Sequence, residues 1–95
     1  PDPDSVVVVP APDYTLTPVG RQTRPAEHAS RLTAYNDIIE DGADAAGTRL
    51  VDVVPPSREV IGRPELIAED ELHPAPEQYE RWLDRIYPVA ADALD

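Results

Sequence analysis

Four consecutive valines, Val6 to Val9, are followed at once by Pro10 and then Pro12. An unbroken β-branched run with no polar alternation predicts a strand buried on both faces, as in a parallel sheet covered by helices. Proline cannot donate to a β-ladder, so Pro10 ends the strand. An edge strand in solvent would instead leave a sticky apolar rim. The stretch TRLVDVVPP, Thr48 to Pro56, repeats the pattern: a short valine-rich strand stopped by prolines. Any fold for this chain has to cover both runs.

The segments between and after the strands read as helices and loops. Ala11 to about Arg24 is long, irregular and proline-flanked, and loops of that length in small domains are often functional. Pro25 suits a first helical turn, Leu32, Tyr35, Ile38 and Ile39 recur at helical spacing, and Gly47 is a natural C-terminal stop. Together they predict a helix over Pro25 to about Ala46. After the second strand, Ser57 suits the cap of a short turn around Glu59 to Ile61, Gly62-Arg63-Pro64 breaks it, and Glu65 to Ala68 suits one further turn. A last helix starts at Pro76, with Glu77 in its first turn where the macrodipole favours negative charge. Its apolar stripe is Tyr79, Trp82, Leu83, Ile86, Val89, Ala90, Ala93 and Leu94, and Pro88 should kink it.

Strand, helix, strand, helix in that order predicts a crossover connection and a parallel sheet. Two strands do not make a stable parallel sheet, and 95 residues allow one small domain that buries only about 60–65% of its unfolded surface. The expected fold class is therefore α/β, residues 1–95 forming the C-terminal half of a doubly wound domain. The chain begins at Pro1, without a basic-then-apolar leader, which fits the same expectation of a piece cut from a longer protein.

Charge narrows the partners. Nineteen Asp and Glu against eight basic residues, all arginine, give a formal net charge of −11. Such a surface repels phosphate backbones and anionic lipid headgroups, so neither nucleic acid nor a membrane surface is expected as a partner. There is no cysteine, hence no disulfide or thiolate zinc site, and the two histidines are far apart in sequence, so no metal or cofactor is expected. No apolar run approaches the ~20 residues that span a bilayer.

The candidate chemistry lies in AEDELHPAPEQYERW, Ala68 to Trp82, where Asp70 precedes His73 by three and Pro74 follows. In a Ser-His-Asp triad the acid holds one imidazole nitrogen and fixes the tautomer, while the other nitrogen faces the nucleophile. A three-residue turn can bring an aspartate against its own histidine. The bland alternative also stands: Asp-x-x-His is common, and Glu69, Asp70 and Glu71 make a solvated acidic run. His28, in AEHAS, has no motif around it and reads as a surface or helix-face histidine.

That block resembles the closing block of the SGNH, or GDSL-type, hydrolase family, which reads Asp-x-x-His-Pro ahead of a final helix. The matching residues are Asp70, His73, Pro74 and Tyr79, with Trp82 in the helix. Upstream, VVVVPAPDYTLTP resembles the central strand and loop of a subset of these enzymes, and AYNDIIEDGADAAGTRLVDVVPPS resembles their helix-then-strand segment. The resemblance implies a three-layer, flavodoxin-like fold and acyl transfer through serine, with Asp70 and His73 as catalytic acid and base. The family's Gly-Asp-Ser nucleophile, its oxyanion glycine and its Gly-x-Asn-Asp asparagine have no counterpart here. Ser5, Ser30 and Ser57 lack a preceding Gly-Asp, and Asn36 sits in a helical segment. The implied partner is an N-terminal half of the same hydrolase carrying the serine. The implied substrate is a small ester, of a lipid, a short acid or an acetylated sugar. The competing expectation is a non-catalytic acidic module that docks through its last helix.

Overall fold

The computed structural model describes residues 2–94. The elements run β1 (Val7–Val8), α1 (Pro18–Arg21), α2 (Pro25–Ala46), β2 (Arg49–Leu50), α3 (Val54–Ser57) and α4 (Pro76–Ala93). Three single 3₁₀ turns, Pro3–Ser5, Arg58–Val60 and Pro64–Leu66, complete them. Helical residues make up 61% of those described, against two strands of two residues each.

This corrects the expected α/β class. The two strands do pair in parallel, Val7 with Arg49 and Val8 with Leu50, but no further strand joins them among the described residues. The result does not look like a three-layer, flavodoxin-like domain or half of one. The valine run is not buried on two faces: Val7 and Val8 are half-buried, while Val6 is 36% and Val9 40% exposed. The physical reason is where proline falls. Pro10 ends the ladder after two paired residues, and Pro55 and Pro56 turn the second valine run into the start of α3 rather than a longer strand.

The buried centre lies beside the sheet, among loops. Its apolar members are Ala43, Val51, Val53, Val60, Leu66 and Ala75, joined by the fully buried Pro10 and Pro56. Polar residues are buried with them, Thr15, Thr17, Ser57 and Gln78, and each uses its side chain to hold backbone or a neighbour. No buried side-chain nitrogen or oxygen among the described residues lacks a hydrogen-bond partner. Buried polar atoms without partners are costly, so this pairing is what lets a loop-built core stand.

Helix α2 has the bounds its sequence predicts. Pro25 lies at its N-terminus, and Gly47 adopts the left-handed conformation at its end, with φ 73°. Its predicted apolar stripe is not a core face: Tyr35 is 68% and Ile38 72% exposed, and only Ala43 is buried along 22 residues. The molecule is correspondingly extended, 41 × 26 × 17 Å, with a radius of gyration of 14.5 Å, against about 12 Å for a compact chain of this length.

Helix α4 runs through Pro88 to Ala93 and packs against β1, α3 and the turns at Pro3–Ser5 and Pro64–Leu66. Arg49 ties these parts together, bonding Asp4 at 3.0 Å and Asp92 at 2.5 Å, and the two carboxylates, Asp92 first, raise its pKa. Ser57 caps nothing. Its hydroxyl donates to the Val54 carbonyl and accepts from the Asp13 amide, so it is a core brace.

Candidate functional site

Ile67 to Pro74 form a closed loop between the last 3₁₀ turn and α4. Ile67 and Pro74 bridge as an antiparallel pair, the Ala68 amide donates to the His73 carbonyl at 2.8 Å, and Ala75 to Leu66 at 3.0 Å. The base of the loop is anchored in the core: the buried Gln78 side chain donates to the Leu66 carbonyl at 2.9 Å and accepts from the Trp82 indole at 3.1 Å. The tip is tied to α1, because the Val19 amide donates to the Glu71 carbonyl at 3.2 Å.

Within that frame the structure brings Asp70 and His73 together, as the sequence spacing predicts. One carboxylate oxygen of Asp70 accepts from the amides of Leu72 and His73, both at 2.9 Å. The other is hydrogen-bonded to His73 Nδ1. This is the side-chain-on-backbone turn that aspartate forms readily, extended to grip an imidazole. The His73 amide, then its ring, then the Leu72 amide favour the ionised carboxyl and pull Asp70 down to about 2 from its ordinary 3.8. Glu71 lies between them with φ 63°, a left-handed conformation that costs a non-glycine residue about 1 kcal/mol. Such strain persists only where surrounding bonds over-determine it, and here the Ala68 carbonyl, the Val19 amide and the Asp70 cap do so.

The arrangement fixes one imidazole nitrogen and leaves Nε2 unheld among the described residues. The His73 side chain is 69% and that of Asp70 48% exposed, so the pair lies open to water. A carboxylate–imidazole unit of this kind can accept a proton at Nε2 and stabilise the resulting cation. It offers no nucleophile of its own. Ser57 is buried and bonded on both sides, and neither Ser5 nor Ser30 is bonded to either histidine.

Sequence reasoning missed a second set of contacts, which hold the Ala11–Arg24 loop. Asn36 projects from α2 and clamps Ala11 through both amide atoms, accepting from its N–H at 2.9 Å and donating to its C=O at 3.0 Å. Asp13 accepts from the Thr15 amide and hydroxyl and pairs with Arg58 at 3.2 Å. Burial alone would raise the Asp13 carboxyl, but these bonds more than offset it and lower its pKa. His28 sits half-buried on the face of α2, where Tyr14 Oη lies 2.5 Å from its Nδ1, the two rings edge to face. An Asp-x-Thr turn signature at Asp13 is the one sequence cue that points to any of this.

No group of three or more His, Cys, Asp and Glu side chains among the described residues is placed to hold a metal ion. No helix among them is long and apolar enough to cross a membrane. Comparison of the chain with protein families, with characterised proteins and with solved structures finds no match. The functional reading therefore rests on the Asp70–His73 loop itself.

Proposed function

We propose that Asp70 and His73 are the acid and base of an SGNH-type serine ester hydrolase, completed by a polypeptide segment that supplies the nucleophilic serine and the oxyanion donors. The observation that carries this reading is the hydrogen bond from His73 Nδ1 to an ionised Asp70 whose second oxygen is locked by two amides. In the assembled site His73 Nε2 takes the serine proton as the hydroxyl attacks the ester carbonyl. It then protonates the leaving alcohol, and finally deprotonates the water that releases the acid. Asp70 holds the tautomer and stabilises the imidazolium in each half-reaction. Exposure of the pair favours completion by a second surface, since covering the site strengthens every charge interaction inside it.

His73→Ala in the assembled protein is expected to lower esterase turnover by several orders of magnitude. A rate within about twofold of the unmodified protein would refute the assignment.

A second reading has its own observation. Tyr79, Leu83 and Tyr87, one turn apart on α4, are 46%, 55% and 72% exposed, and Leu94 is 88% exposed. An apolar helix face of this kind suits a non-catalytic docking module. Under that reading Leu83→Asp abolishes partner binding, while His73→Ala leaves it untouched.

A further inference from the structure

Arg21 and Arg63 have no carboxylate within 4 Å among the described residues, in a chain where acids outnumber arginines nineteen to eight. Both line one surface groove of about 170 Å³. Its remaining wall is apolar or backbone, built on Leu16, Pro18, Val60 and Ile67, and no acidic side chain among the described residues lines it. Arg21 is held ready there, its Nε donating to the Leu16 carbonyl at 3.0 Å, which leaves the two terminal nitrogens for another acceptor. Arg63 follows the left-handed Gly62, φ 71°, and its side chain makes no hydrogen bond among the described residues.

The groove does not stop at the arginines. A second hollow of about 280 Å³ shares Pro18, Pro64 and Ile67 with it and extends to Ala68, Glu69 and Glu71, in the loop that carries Asp70 and His73. The two hollows meet along Pro18, Pro64 and Ile67, an apolar stretch of track between a pair of arginines and the acid–base loop, where Glu69 and Glu71 line the far end. Arginine's planar fork matches a carboxylate, and the intervening wall suits methylene groups.

We propose that this track binds the non-reacting end of the substrate, and that the substrate class is an aliphatic ester whose far end is a carboxylate. The inference rests on the hydrolase reading for the word substrate, and on the groove alone for the carboxylate. Monomethyl adipate, a six-carbon chain with an ester at one end and a carboxylate at the other, is the probe, and dimethyl adipate its uncharged control. Amide shifts of the ¹⁵N-labelled chain are followed as each is added.

The charged ester is expected to shift Leu16 to Arg21 and Gly62 to His73 saturably, and to bind roughly tenfold more tightly than the control. Arg63→Ala, at an exposed position, is expected to remove most of that difference, and Arg63→Glu all of it. His73→Ala should leave affinity within about twofold. Equal binding of the two esters, indifference to both Arg63 variants, or shifts centred on Tyr14, His28 and Arg31 would overturn the proposal. The two readings fail separately. Binding as expected, in a protein whose serines resist fluorophosphonate, removes the hydrolase and leaves a carboxylate site. A reactive serine without selective binding removes the substrate class alone.

Discussion

Helix α2 and the Ile67–Pro74 loop exchange the roles usually given to helix and loop. The helix is long and regular in its own hydrogen bonds, yet it buries one side chain in 22 residues. The loop has no regular structure, yet Asp70 accepts three bonds within it, and its base is anchored by the buried Gln78. The Ala11–Gly20 stretch behaves like the loop, being pinned by Asn36, Ser57 and His28. Order in this chain follows polar bonds between loops more than apolar faces on helices. A chain of this size has little apolar surface to bury, so the cost of leaving backbone unpaired decides which segments are fixed.

The sharpest way to break that comparison is at Gly20. A Cβ there would lie 2.0 Å from the Tyr14 carbonyl oxygen and 3.0 Å from Thr15 Cα, both backbone atoms that cannot swing aside. Gly20→Ala is expected to destabilise by roughly 3 kcal/mol in urea unfolding, at the upper end for overpacked sites. Ile38→Ala, on the exposed face of α2, should change stability by less than about 0.5 kcal/mol. If the two variants cost the same, the loops are not the better-ordered part.

Acid provides a gentler test inside the loop. Asp70 is depressed to about 2 in the folded chain, below its ordinary 3.8. The stability it contributes is therefore complete above the ordinary value and lost as pH falls through about 2. The amide signals of Leu72 and His73 should move together across that window. Asp70→Asn should remove the transition.

The sequence made the helices and the parallel pairing of the two strands legible but not how small the sheet is, for reasons that lie in particular residues. Pro25, Gly47 and Pro76 mark helix ends through backbone constraints that act locally, so α2 and the start of α4 match expectation. The valine runs carried a tertiary inference, burial on both faces, that local chemistry cannot guarantee. Only two residues of each run pair. Tyr35 and Ile38 failed for the same reason, since periodicity shows that a face can be buried and not that anything lies against it. Asp70 and His73 were legible because a three-residue turn is local. The Asn36–Ala11 clamp and the Tyr14–His28 bond join residues 25 and 14 positions apart, and no spacing rule encodes them.

The central claim is that His73 serves a serine it does not share a loop with. Fluorophosphonate labelling of the protein from its native source, followed by denaturing mass analysis, tests it directly. The account predicts a label on a serine in a segment that co-purifies with residues 1–95, these residues themselves unmodified, and loss of the label in His73→Ala. An unlabelled protein, or one labelled equally well without His73, would contradict it.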